Sequence, residues 1–176
     1  MMDSTLDGGR LRETFIVYLS GTMAEDKPEH RAWRVQATQK FNEHGIHTRS
    51  PYRGRDKSKI MKVDNYHYTY STAPVSNRLG NMLVARDLKD VQDCDILMVN
   101  LKGTKGERPS IGTLSELAWA YLLRKPVVCI VDEDSTDPNY YKHPFIHTFV
   151  DHWVSTVDEA IEVIINYWHP QAKEGY

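Results

Sequence analysis

Three short apolar runs limit what this chain can fold into: Thr14–Ser20 (TFIVYLS), Asp95–Leu101 (DILMVNL) and Val127–Val131 (VVCIV). They are rich in β-branched residues and lack polar alternation, the pattern of strands covered on both faces of a parallel sheet. Helical periodicity lies between them. Pro28 introduces a helix over Glu29–Glu43 with Trp33, Ala37, Lys40 and Phe41 roughly on one face, and Gly45 has the position of its C-cap. A Gly-containing polar loop follows the second run and leads into a helix from about Thr113, whose Leu114, Leu117, Ala118 and Tyr121 share a face. Lys125-Pro126 breaks it. A shorter strand over Ile46–Ser50 and a brief edge strand over His152–Val154 bring the number of strands to five. Thr156 caps a last helix, Val157–Trp168, with Ala160, Ile161, Ile164, Ile165 and Trp168 as its buried stripe, and Pro170 ends it. Strands alternating with helices predict an α/β fold: a doubly wound, mainly parallel five-stranded sheet of flavodoxin-like (Rossmann-like) order.

The 176 residues suit one α/β domain over 13–170, with a loose lead-in over 1–12, an insert over 51–80 and a short tail over 171–176. The insert starts basic (Arg53, Arg55, Lys57, Lys59, Lys62) and continues with Tyr66-His67-Tyr68-Thr69-Tyr70. Basic residues beside aromatics can form a polynucleotide groove. A net charge of −2 argues against nucleic-acid or membrane partners, so the insert reads as a solvated loop covering a pocket or a subunit contact. Asn81–Val91 is expected to be a helix carrying Asp87 and Asp90, and His143–Val150 a short one. Cys94 and Cys129 lie in or beside apolar strand-like runs, which favours buried free thiols and a reducing, cytoplasmic setting. No apolar stretch reaches transmembrane length, and the N-terminus has no signal-peptide pattern.

The carboxyl edge of an open α/β sheet is the usual ligand crevice, and Glu116 stands near the start of the helix that follows the central strand. Two readings apply to it. Thr113-x-x-Glu116 has the spacing of a capping box, in which the two side chains satisfy orphan backbone donors. A carboxylate near a helix N-terminus is also held ionised, which suits a nucleophile. Other patterns lead nowhere. Gly103-x-x-Gly106 lacks the third Gly and the Lys-Ser/Thr of phosphate loops. His143 and His147 have the spacing of zinc ligands, but Pro144 intervenes and no third ligand is well spaced. Ser20, Thr22, Ser110 and Ser115 have no Gly-x-Ser-x-Gly elbow around them.

In order along the chain, Tyr18-Leu19-Ser20-Gly21, Arg86-Asp87-Leu88, Asp95-Ile96-Leu97-Met98-Val99, Pro109-Ser110-Ile111-Gly112-Thr113-Leu114-Ser115-Glu116-Leu117-Ala118-Trp119-Ala120 and Lys125-Pro126-Val127 resemble the nucleoside 2-deoxyribosyltransferase family and the related nucleoside 5′-monophosphate N-glycosidases. The resemblance covers most of the chain outside Pro51–Leu79. It implies that Glu116 is a nucleophile attacking the anomeric carbon of a nucleoside, with a covalent glycosyl intermediate. It also implies that Asp87 stands near sugar and base, that Tyr18 orients the nucleophile, and that Ser20, Gly21, Thr22, Met23, Ser110 and Gly112 line the substrate site. His143 and the terminal Tyr176 match more weakly placed substrate contacts, in sites often shared between subunits of a homo-oligomer. Met23 and Trp33 are as compatible with core positions as with the base site. The expected partners are a nucleoside or nucleotide and a free nucleobase, with no cofactor or metal required. One departure bears on the reaction: many transferases have Asp where this chain has Ser110, and the monophosphate N-glycosidases have a Ser that helps hold the 5′-phosphate. Against a phosphate, the expected Arg after Gly21 is replaced by Thr22-Met23-Ala24-Glu25-Asp26. The leading expectation is deoxyribosyl transfer, followed by hydrolysis of a nucleoside monophosphate through the same glutamate, and then a nucleotide-binding or sensing module without turnover.

Overall fold

The computed structural model describes residues 14–23, 28–53, 60–63, 67–70, 73–102, 110–132 and 143–169, with backbone only over 60–80. The main sheet contains β1 (Ile16–Gly21), β2 (His47–Arg49), β5 (Ile96–Asn100), β6 (Val127–Ile130) and β7 (His152–Val154) in the order β2-β1-β5-β6-β7. Every pairing in it is parallel, and its order is that of a flavodoxin-like sheet. Because β1 leads to β2 on one side while its other neighbour is β5, the strand order reverses between β1 and β5. At that point the carboxyl ends of the strands leave a crevice.

Side-chain alternation along β1 divides the core in two. Val17 and Leu19 point to one face, where α1 (Pro28–Glu43) and α5 (Val157–Val163) cover them with Trp33, Ala37, Phe41, Ala160, Ile161 and Ile164. Tyr18 points to the other face, toward Val91 of α2 (Ala73–Asp93), Leu117 and Ala120 of α3 (Ile111–Leu122) and Ile146 of α4 (Pro144–Phe149). Helices therefore lie on both faces. No helix among the described residues is long and apolar enough to cross a membrane.

Local chemistry fixes the helix ends. Pro28 occupies the first helical position of α1, where its missing N–H is no loss. At the other end Gly45 (φ 70°) takes the left-handed conformation, with Gly45 N–H donating to Asn42 and Ile46 N–H to Phe41. α3 closes in the same way two residues before Pro126, except that Arg124 (φ 54°) stands where glycine is usual. Thr156 and Glu159 form a reciprocal capping box on α5.

Several expectations are corrected. α2 extends well N-terminal of Asn81, because Pro74 falls in its first turn, where proline is tolerated, and Gly80 does not interrupt it. Part of the insert is not loop: β3 (Ile60–Val63) and β4 (His67–Tyr70) pair antiparallel, as the β-branched and aromatic residues of both runs favour. Arg53 is not simply solvated, since it donates to both carboxylate oxygens of Asp90 at 2.8 Å. The last helix becomes a π-turn over Ile164–Trp168, closed by His169 N–H on Ile164. The lead-in over 1–12, the Gly103-x-x-Gly106 loop, most of Asp132–Tyr141, Pro170 and the tail with Tyr176 lie outside the described residues. Cys94 and Cys129 are buried free thiols; burial pushes the Cys94 thiol up to about 12, well away from a reactive thiolate.

Candidate active site

Glu116 was expected in the first turn of its helix as one half of a capping box, and the capping reading fails. The N-cap is Ser110, whose Oγ accepts from the Thr113 N–H at 3.1 Å and lies 2.8 Å from Thr113 Oγ1. Glu116 is thus in the second turn, where no orphan N–H needs it. It faces the sheet at 5% exposure. β1 supplies its partners: Tyr18 Oη donates to Oε1 at 2.7 Å and Ser20 Oγ to Oε2 at 2.5 Å. Residues 18 and 20 share a face of the strand, so the two-residue period aims both hydroxyls at one carboxyl group. Each oxygen of Glu116 is fixed by one donor.

Burial pushes the Glu116 carboxyl up to about 7, with Asp87 adding to the rise, while Ser20, Tyr18 and Arg34 oppose it. The Tyr18 hydroxyl is held far above its ordinary range, first by burial and then by the Glu116 charge, so it stays a donor. Asp87 comes from α2. It is buried rather than on an exposed helix face, and Arg86 clamps its Oδ1 through Nε at 3.1 Å and Nη2 at 2.7 Å. Arg86 also donates to the carbonyls of Pro51 and Arg53, which ties the segment after β2 to α2.

The remaining expected site residues differ in what surrounds them. Gly21, Thr22 and Met23 continue from β1 at the carboxyl edge. Gly21 has φ 155°, and a Cβ there would stand 2.9 Å from the Asn100 carbonyl and 3.2 Å from the Trp33 ring, so the position demands glycine. Trp33 itself is core. Gly112 has no such constraint: an added Cβ would meet only Ser110 Oγ, at 3.9 Å. His143 is exposed and N-caps α4, its Nδ1 accepting from Phe145 N–H at 3.4 Å. α3 and α4 run in the same sense, with Tyr121 and Phe149 packed together near their C-terminal ends, which puts His143 toward the carboxyl edge of the sheet. The structure therefore unites Glu116, Tyr18, Ser20 and Asp87, with Gly21–Met23 beside them. A groove between α1 and α5, lined by Lys40, His44, Asp158 and Ile161 among others, belongs to the opposite face.

Sequence reasoning gave two groups no role. Arg34 lies in the buried stripe of α1 among His30, Trp33, Ala37 and Phe41. A charged residue inside an apolar helical face was the available signal. Asp90 is 1% exposed and receives Arg49 at 3.0 Å as well as Arg53. It occurs three residues after Asp87, one turn along the same face.

Fold and site together define a flavodoxin-like α/β protein with a buried, doubly hydrogen-bonded glutamate at the strand-order reversal. A family model described as nucleoside 2-deoxyribosyltransferase matches residues 17–158. The chain belongs to that family. Among solved structures, it is similar to a conserved protein from Enterococcus faecalis V583 (18% identity, TM-score 0.53, 85% of this chain and 96% of that one). It is also similar to BlsM, known from a solution structure (14% identity, TM-score 0.55, 91% and 98%). A Clostridium botulinum CMP N-glycosidase, BcmB, matches at 16% identity and a TM-score of 0.49 over 85% of this chain and 96% of that one. No curated protein matches the chain. At these identities the structural likeness establishes the fold.

Proposed function

We propose that this chain cleaves the N-glycosidic bond of a 2′-deoxynucleoside by double displacement on Glu116 and passes the deoxyribosyl group to another nucleobase. The observation that carries this reading is the glutamate itself, buried at the strand-order reversal with each oxygen held by a hydroxyl of β1. In the first step the Glu116 carboxylate attacks C1′. The bond from C1′ to the base nitrogen breaks, and its electron pair leaves on the base, which takes up a proton. In the second step a ring nitrogen of the acceptor base attacks C1′, the C1′–O bond to Glu116 breaks with its electron pair returning to the carboxylate, and the attacking nitrogen gives up the proton it carried. The developing oxocarbenium charge is met by a carboxylate in a site from which water is largely excluded, where its field is least screened. Tyr18 and Ser20 hold the attacking oxygens so that little reorganisation is needed. Asp87, the second carboxyl group near Glu116, serves the departing base by exchanging a proton with the leaving nitrogen. Ser110 is accounted for as a helix cap, so the transfer reading does not require it to hold a phosphate.

Chromatography of four incubations tests this: deoxynucleoside with and without a different free base, and deoxynucleoside monophosphate with and without that base. A new nucleoside that forms only with the acceptor present supports transfer. Free base released mainly from the monophosphate, with no exchanged product, would replace transfer by hydrolysis; binding without products would leave a sensing module. Glu116→Ala should abolish turnover, and a variant as active as wild type would remove Glu116 as nucleophile. The homo-oligomer expected from the resemblance is tested by sedimentation, a monomer at assay concentration refuting it.

A further inference from the structure

We propose that Arg34 is a positioning residue of this site, whose guanidinium holds the turn Gly21–Met23 in the shape that receives the substrate. The inference rests on the reading of Glu116 as the reaction centre and adds a residue from the opposite face of the sheet. Arg34 is 4% exposed, and its fork meets backbone carbonyls at the end of β1. Nη2 donates to Gly21 O at 2.8 Å, Nε to Leu19 O at 3.3 Å and Nη1 to Thr22 O at 3.4 Å, while Nη1 also donates to His30 O one turn earlier in α1. The guanidinium lies over the rings of Trp33 (4.4 Å) and Tyr52 (5.1 Å). Gly21 makes the approach possible, since a Cβ there would stand 3.3 Å from Nη2.

Peptide planarity turns this clamp into an orientation. A trans peptide points its N–H opposite its C=O. Drawing the Gly21 and Thr22 carbonyls toward Arg34 therefore turns the N–H groups of Thr22 and Met23 away from α1. The backbone of the turn is thereby set in one orientation where it meets a ligand at the carboxyl edge. Burying a guanidinium is expensive unless its N–H groups are satisfied, and this one is used on the segment that leads out of the Tyr18–Ser20 strand. Lysine cannot substitute, because a single ammonium lacks the planar fork needed to reach several carbonyls at once.

The test uses Arg34→Lys and Arg34→Met in the full chain, with initial rates on a 2′-deoxynucleoside plus acceptor base and backbone 15N order parameters of the free protein. Losing hydrogen bonds from a charged donor should raise KM about tenfold or more, with kcat much less affected. The order parameters of Thr22 and Met23 should fall from the rigid value of about 0.85 to below about 0.6, while those of α3 hold. An Arg34→Lys protein with wild-type KM and wild-type order parameters at Thr22 and Met23 would overturn the proposal, as would a loss confined to kcat. If the wild-type chain turns over no nucleoside, the transfer reading falls separately, and the order parameters then decide for or against Arg34.

Discussion

Replacing Glu116 by Gln should stabilise this protein, and by more as the pH rises. The amide keeps the shape of the side chain and both contacts: Gln Oε1 still accepts from Tyr18, and Nε2 can donate to Ser20 Oγ once that hydroxyl rotates. Those exchanges do not depend on pH. The charge does. The folded-state carboxyl titrates at about 7 against 4.5 for the ordinary group, so the folded protein retains a proton that the unfolded chain releases. A raised value of this kind favours the fold fully below the unfolded pKa, and that support drains away as pH climbs through the folded one. A tenfold difference in proton affinity between the folded and unfolded chain is worth about 1.36 kcal/mol. Between pH 5 and 8 wild type should therefore lose roughly 2–3 kcal/mol relative to Glu116→Gln. In thermal melts this is roughly 5–10 °C for a chain of this length. Paired melts at half-unit intervals from about pH 5 to 8.5, supported by urea titrations at the extremes, would measure it. A difference between the two proteins that stays flat across that range would refute the reasoning, whatever its sign at one pH.

If Glu116 is the nucleophile, kcat/KM should rise about tenfold per unit below pH 7 and level off above it, because only the carboxylate attacks; an activity that falls with pH through this window contradicts the assignment. Tyr18→Phe removes a donor that favours the ionised form, so the acid limb should move to higher pH with a loss in rate of about tenfold or more at neutral pH. Gly21→Ala should cost about 2–3 kcal/mol in urea unfolding, since a Cβ at φ 155° would press on the Asn100 carbonyl. Arg124→Gly should do the reverse and raise stability by about 1 kcal/mol by relieving a left-handed residue that is not glycine; a lower melting temperature would show that the arginine side chain outweighs its backbone.

The sheet was legible because its three longest strands carry no polar alternation and the segments between them have helical period. That is enough to force crossover connections and parallel strands. β2 and β7 could be placed only roughly, since three residues in each give little pattern to read. Tyr18, Ser20 and Glu116 were individually visible, but the meeting of Tyr18 with Glu116 was expected only through the family resemblance, since no periodicity or spacing joins residues 96 and 98 positions apart. Thr113-x-x-Glu116 misled because capping spacing is common, and Ser110, three residues earlier, is the better cap with Thr113 at its N3 position. Arg34 showed only as a charge inside an apolar helical face; its partners could not be read, because they are backbone carbonyls, and a backbone acceptor leaves no mark on the sequence. The β3–β4 pair was hidden by a basic, tyrosine-rich composition that resembles a loop until the partner strand is known.

The alternation of Val17, Tyr18, Leu19 and Ser20 makes β1 unforgiving in one respect and tolerant in another. Single substitutions that respect each face leave the arrangement intact. A one-residue insertion or deletion within the strand would turn the hydroxyls toward α1 and bring aliphatic side chains against Glu116, stranding a buried carboxylate among hydrocarbons. Across related sequences the length of this strand should therefore be more constant than its composition, and engineering by loop grafting should leave its residue count alone.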